Sequence, residues 1–259
     1  MHNVTVFGGT MQKKSHKLPE WEDVLSAASH LQQIFPGAVP VGGTISAIYA
    51  KHRMSTDAGH IVPGVKEHFD EILKQLESVS GWKTARIMRP VQILGSLDGI
   101  ETGIRNLIRS EPLETVVKEV GGQKITLPSE EEILRIKAAL ILQRNATRDY
   151  IDFLALAEHL GVKRAVAALK PFDRLYPQPN GESPTQQLIT QLATPLPYDL
   201  KDTNLANFKS LEHKWQDWEK VKLFALNLSM SIFEDMIPNP SHKNAPSIGK
   251  KRAKKGIEG

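Results

Sequence analysis

The sequence predicts an α+β fold, with a mixed or antiparallel sheet flanked by helices in the first half and helices alone in the second. Three observations lead there. The apolar run Ala38 to Val41 meets a Gly42-Gly43 turn and then a helix from Thr44 to about Lys51, which makes a strand, turn, helix unit. Between Trp82 and Leu127 the apolar segments are short and are punctuated by Asp98-Gly99 and Gly121-Gly122, the turn chemistry of hairpins. Ser129 followed by Glu132 is a capping-box pattern, and beyond it nearly every apolar run recurs at helical spacing.

In order, residues 1–18 mix polar, basic and glycine residues without sustained period and read as a flexible lead-in. Pro19 opens a helix in which Trp21, Val24, Leu25, Ala28, Leu31 and Ile34 fall on one face, and Phe35-Pro36-Gly37 stops it. His60 to Val62 is a strand ended by Pro63-Gly64, and Val65 to Val79 a helix closed by Ser80-Gly81. Strands follow at Trp82 to Met88, Val91 to Leu97 and Ile100 to Ile108, then at Leu113 to Val120 and Lys124 to Leu127. The helical half places helices at Ile133 to Leu142, Asp149 to Leu160, Val162 to Leu169 and Thr185 to Leu192. Pro171 to Ser183 is a loop, and Leu211 to Met236 is one long helix that Pro238 stops. These readings divide the chain into a lead-in at 1–18, an α+β domain at 19–127, a helical domain at 128–237 and a basic tail at 238–259.

A chain of 259 residues that is 40% hydrophobic can bury a substantial core. It holds no cysteine, which excludes disulfides, thiolate metal sites and cysteine nucleophiles. No run approaches the ~18 apolar residues of a membrane span, so the expected setting is soluble and cytoplasmic with no membrane partner. The formal charge of +4 is modest, and much of it sits in Lys250-Lys251-Arg252-Ala253-Lys254-Lys255. Such a tail is a solvated terminus or a phosphate-attracting arm.

Two constellations carry chemistry. In the first, Gly42, Gly43 and Thr44 form a turn at a helix start, where glycine lets a phosphate approach the backbone and unpaired N–H groups await an anion. Arg53, Ser55 and Asp57 then supply a cation, a hydroxyl and a carboxylate at alternate positions. Nucleotidyl transfer needs these parts: a cradle for phosphates, and a carboxylate to hold Mg²⁺ against them. Taken singly, a Gly-Gly pair is only a turn and Arg-x-Ser-x-Asp only a solvated edge. In the second constellation, Lys137 and Arg144 lie two turns apart on one helix face, and Asp149 and Asp152 lie three apart on the next helix, with Arg148 beside them. A lysine inside the apolar run Ile133 to Leu142 requires a partner, either Asp149 or a bound triphosphate. An Arg–Asp network that merely joins two helices is the competing reading.

Taken together, Val-Gly-Gly-Thr…His-Arg-x-Ser-x-Asp and Leu-Arg-Ile-Lys-Ala…Arg-Asn-x-x-Arg-Asp-Tyr-x-Asp resemble the nucleotidyltransferase-like toxins of the AbiEii type, found in type IV toxin–antitoxin and abortive-infection systems. The resemblance covers roughly residues 20–160. It implies a polymerase-β-like nucleotidyltransferase domain followed by an all-helical domain, with NTP and Mg²⁺ between them. It also implies an RNA acceptor, the tRNA 3′ end in characterised relatives, and a cognate antitoxin. By resemblance, Asp57 is a metal ligand and Ser55 lies beside the triphosphate. Lys137 contacts nucleotide phosphates, Asp149 is the later acid of the catalytic and metal centre, and Asp152 is the second acid of that helix. Arg148 clamps a phosphate or holds Asp149.

The pattern departs at Gly59, where relatives carry the second acid of Asp-x-Asp. Two carboxylates one residue apart point to the same side of a strand and grip a divalent ion together, whereas glycine offers no ligand. Asp149 or Asp98 supplies the second acid, or the chain binds without turning over, or Gly59 is an inactivating substitution. The expected function is Mg²⁺-dependent transfer of NMP from an NTP to RNA. The alternatives are a catalytically silent NTP- or RNA-binding module of a toxin–antitoxin complex, and transfer to a protein hydroxyl. His52 and His60 flank the site, Asp98 and Glu101 are reserve acids, and Trp215 and Trp218 are core residues on one helix.

Overall fold

The computed structural model describes residues 21–120 and 122–236. The lead-in at 1–18, Pro19 and the basic tail at 238–259 fall outside the described residues. The architecture is α+β, with a mixed sheet flanked by helices followed by helices alone, as the sequence predicts.

Helix α1, Trp21–Ile34, buries Val24, Ala28 and Leu31 at helical spacing, and it leads into β1, Val39–Val41. Helix α2, Gly43–Ala50, and strand β2, Ala58–Val62, complete the predicted unit, followed by α3, Phe69–Glu77. Strands β3 (Trp82–Met88), β4 (Gln92–Leu97) and β5 (Ile100–Asn106) form a meander. The order across the sheet is β1-β2-β5-β4-β3, and only β2 and β5 run parallel. That parallel pair aligns Gly59 with Gly103 and Ile61 with Arg105 on one face, and His60 with Ile104 on the other. Leu31, Phe35, Phe69, Leu76, Ile93 and Ile104 seal the second face beneath α1 and α3. The first face, carrying Gly59, Glu101 and Arg105, is left for the site.

Strands β6 (Thr115–Val120) and β7 (Gln123–Pro128) form a separate hairpin. Ser129 then caps α4, Glu130–Arg144, accepting from the Glu132 amide at 3.1 Å, as the capping box predicts. Helices α5 (Thr147–Leu160), α6 (Val162–Leu169), α7 (Phe172–Leu175), α8 (Pro184–Ala193) and α9 (Trp218–Met236) follow. A single apolar cluster runs from Val24 and Ile45 through Leu127 to Tyr150, Phe153, Trp215 and Ile232.

Helix α4 is buried nearly all round, so its charged residues must pair internally. Glu132, fully enclosed, meets Arg109 and Arg135, both at 2.9 Å, and Arg135 also donates to the Ala168 carbonyl. This knot ties the β5–β6 connection to α4 and α6, and only its Glu132–Arg135 pair, three apart on α4, shows in the sequence spacing.

Most boundaries shift by up to three residues from the sequence reading, and three elements differ more. The third helix begins at Phe69 rather than Val65, because Gly64 adopts a φ of +74° and the turn after it continues to His68, although Val65 is still fully buried. The loop 171–183 contains the short helix α7. The last helix begins at Trp218 rather than Leu211: Asp217 accepts from the amides of Glu219 and Lys220 at 3.1 and 3.4 Å, which fixes the helix start there. Trp215 therefore lies in a separate turn at His213–Trp215, packed edge-on against Phe224, while Trp218 meets Tyr150. Both serve the core, but they do not share a helix.

Candidate functional site

The site grows from the turn before α2. Gly42 has a φ of +95°, a conformation that favours glycine, and its carbonyl accepts from both the amide and hydroxyl of Ser46. A Cβ on Gly43 would come within 2.2 Å of Arg53 Nη2 and 2.8 Å of Ser55 Oγ, so this position must also be small. No side chain caps α2, which leaves its first-turn N–H groups beside the cavity that Gly42 and Gly43 line. Thr44 is buried and donates to the Asp57 carbonyl at 2.5 Å. It pins the acid-bearing segment to the helix and does not line the cavity.

Ser55 and Asp57 lie in the extended segment leading into β2 rather than within a strand, and the Ser55 hydroxyl donates to Asp57 Oδ1 at 2.8 Å. The cavity they open on measures about 210 Å³. Among the described residues, Arg53, Arg105, Lys137, Arg144 and Arg148 line it, and Asp57 is its one carboxylate. The crowding of cations shows at Arg105, whose pKa is lowered by burial and by the neighbouring charges of Arg144 and Arg148. An anion would relieve that repulsion.

Asp149 and Asp152, both fully enclosed on α5, stand behind the cavity and are not among its lining residues. Asp152 Oδ1 accepts from Arg53 Nε at 2.7 Å and lies 2.8 Å from His52 Nε2, while Oδ2 takes Arg53 Nη2 at 3.0 Å and Lys137 Nζ at 2.7 Å. Burial opposes a charge on this group, but Lys137 and Arg53, with His52, hold its carboxyl well below the usual range. Asp149 receives Arg144 through two contacts, one at 2.6 Å, and Lys137 at 3.5 Å. Burial likewise works against the Arg144 guanidinium, and Asp149 raises its pKa in spite of that. The two aspartates anchor from behind the cations that face the cavity.

The other candidates distribute as follows. Glu101, Arg86 and Ser96 line a second cavity of about 490 Å³ over the open sheet face, contiguous with the first through Asp57, Gly59, Arg105 and Arg148. Asp98 belongs to the β4–β5 turn and faces His30 at 3.3 Å, away from the site. His60 sits on the sealed face of β2, where burial pushes its pKa down to about 4. The neutral imidazole of the fold must therefore be reached from an unfolded state that protonates below 6.5. Its contribution is complete above that value and is lost as pH falls from 6.5 through 4. At ~1.4 kcal/mol per pH unit the loss is on the order of 3 kcal/mol. Urea unfolding at about pH 7.5 and about pH 4.5 is expected to show this decline in the native protein and a much flatter profile in His60→Leu; equal slopes in both would assign the acid sensitivity elsewhere.

Sequence reasoning missed Arg105 and Phe208 as lining residues and left Arg144 without a role in the site. Arg105 reaches the cavity through the pairing of β5 with β2, which no local pattern in the sequence announces. Phe208 carried no local signal.

Among the described residues, no three His, Asp or Glu side chains come close enough to hold a metal ion. Asp57 and Ser55 offer oxygens and Gly59 offers none. Mg²⁺ usually keeps waters and takes one or two carboxylates plus substrate phosphates. The donor set therefore fits one ion brought in on a polyphosphate, not a prebuilt two-metal centre.

No protein-family model matches the chain. It is 32% identical over 130 residues to the mycolic acid-containing lipids exporter MmpL11 of Mycolicibacterium smegmatis, which is 49% of this chain and 13% of that protein. It is 27% identical over 139 residues to a transport protein MmpL11 of Mycobacterium leprae, again 13% of that protein. The chain thus spans about an eighth of the length of the curated relatives it matches. No helix among the described residues is long and apolar enough to cross a membrane. Among solved structures, the chain is similar to one from H. pylori described as a candidate nucleotidyltransferase, with TM-score 0.46 and 18% identity over 83% of this chain and 94% of that one. It is also similar to the antibiotic-resistance factor ANT(2'')-Ia, with TM-score 0.42 and 11% identity over 58% and 93%. A third is an antigenic nucleotidyltransferase-like protein from Paracoccidioides brasiliensis, with TM-score 0.40 and 17% identity over 58% and 87%.

Proposed function

We propose that the chain is a nucleotidyltransferase that moves NMP from an NTP to a hydroxyl of RNA, as the resemblance to AbiEii-type toxins implies for a tRNA 3′ end. The observation that carries this reading is the cavity in which, among the described residues, five cationic side chains and the carboxylate of Asp57 face one another beside the uncapped start of α2. With Asp152 and Asp149, which hold Arg53, Lys137 and Arg144 from behind, included, these five cations still outnumber the three acids, a balance that suits a triphosphate better than a metal cluster or a neutral ligand. Mg²⁺ carried on the triphosphate would supply charge neutralisation next to Asp57.

Everything else falls to side chains of this chain. Arg53 and Lys137, held by Asp152, and Arg144, held by Asp149, are pre-oriented toward the phosphates, so little rearrangement accompanies the reaction. Arg105 and Arg148 lie where the phosphate cavity meets the one over the sheet. An acceptor hydroxyl entering over the sheet forms its bond to the α-phosphorus, pyrophosphate leaves with the bridging oxygen, and the proton passes to solvent. Asp149 and Asp152 act in this reading by positioning the cations. A toxin role and a cognate antitoxin belong to the same proposal.

The test is incubation of the protein with each α-labelled NTP, MgCl₂ and tRNA. Label on RNA supports the reading, and no label on RNA under any NTP sinks it. Gly59 favours a second reading, a module that binds NTP without turnover. A Cβ at Gly59 meets nothing within 4 Å, and the position faces both cavities, so an acid is accommodated there. Gly59→Asp is expected to raise transfer by about tenfold or more through a second metal oxygen. Unchanged activity in the labelled-NTP assay would show that the missing carboxylate does not limit turnover.

A further inference from the structure

A third hollow, of about 490 Å³, lies between α1, the C-terminal half of α2 and the segment at Ser210. Its walls are Leu25, Ala47, Ile48 and Met54, and its rim carries Glu22, Lys51 and Ser210. We infer that this hollow receives the base of the nucleotide whose phosphates occupy the neighbouring cavity, an inference that rests on the triphosphate reading above.

Arg53 is the link. Arg53 lines both spaces, and its guanidinium ends beside Gly43 while Met54, the next residue, belongs to the apolar wall. Helix α2 gives the same continuity, because Gly43 and Ala47 lie one turn apart on one face and Lys51, the residue that caps the helix, follows at the hollow. Gly43 touches the phosphate cavity, and Ala47 and Lys51 the hollow. Four residues of helix rise about 6 Å, a step a nucleotide spans between its phosphates and its base. The volume falls within the ~300–1,000 Å³ of small-molecule sites. The chemistry also suits a heteroaromatic ring, with aliphatic and thioether walls for its faces and a carboxylate, an ammonium and a hydroxyl for its polar edge. The cavity over the sheet adds the charged Arg86, Glu101 and Arg148 to Ala85 and Leu94, a more polar setting than the hollow and one that suits an acceptor.

Calorimetric titration of the full chain with tripolyphosphate and with each of the four NTPs, all in MgCl₂, separates the two spaces. At least one NTP is expected to bind about tenfold more tightly than tripolyphosphate. The space-filling variants Ile48→Trp and Met54→Trp are each expected to erase most of that margin while leaving tripolyphosphate affinity within about twofold, which also shows that they fold. If the native protein binds tripolyphosphate and all four NTPs equally, or if the margin survives in both variants, the hollow is not the base site. If tripolyphosphate itself fails to bind, the phosphate reading falls and this inference with it, a pattern distinct from the other two.

Discussion

Asp152→Asn is expected to lower the free energy of unfolding by about 3–5 kcal/mol, the cost of breaking a buried ion pair from one side. The variant keeps the shape but removes the charge that holds Arg53 and Lys137, and both cations are enclosed. Urea denaturation at neutral pH reads the loss directly. A useful control is Asp70→Asn, since Asp70 pairs with Arg89 at the exposed surface and its removal should cost no more than about 1 kcal/mol. Because the carboxyl of Asp152 is held well below 3.8, its contribution is present above that value and is lost only as pH falls further, beneath the window in which His60 titrates. Tripolyphosphate should restore part of the stability of Asp152→Asn, since an anion in the cavity compensates the same cations. A loss under about 1 kcal/mol would mean that the cations do not depend on Asp152.

Asp57→Asn is expected to reduce nucleotidyl transfer by about 100-fold or more, while binding of metal-free tripolyphosphate is unchanged or tighter. The opposite signs follow from the charge arrangement. Among the described residues lining the cavity, Asp57 is the single carboxylate beside five cations, so neutralising it helps a bare anion and harms the placement of Mg²⁺. Label-transfer rates and calorimetry on the same preparation supply both numbers. Full activity in the variant would remove Asp57 from the reaction.

The parts of the site that the sequence revealed are those set by local geometry. Gly43 at a helix start, and Lys137 inside an apolar helical run, reach the cavity because helical period decides which way they face. The spacing of Asp149 and Asp152 correctly put both on one helix, but it could not show that their oxygens turn away from the cavity to hold cations. Arg105 and Glu101 arrive only through the parallel pairing of β2 with β5, a register fixed by packing across some forty residues of chain. The start of α9 was misplaced because apolar periodicity continues upstream of it, and a single aspartate, Asp217, decides where the helix begins.

The segment that carries His52, Arg53 and Met54 is held at both ends by backbone bonds to a distant stretch: the Met54 amide donates to the Lys209 carbonyl, and the Glu212 amide to the His52 carbonyl, at 2.8 and 2.9 Å. Phe208, next to that stretch, is itself a wall of the cavity. These two amides are thus natural reporters of occupancy. Any ligand that fixes Arg53 also slows local opening of the strap formed by 208–212, so hydrogen exchange at Met54 and Glu212 should slow in step with saturation, even for a ligand that undergoes no chemistry at all.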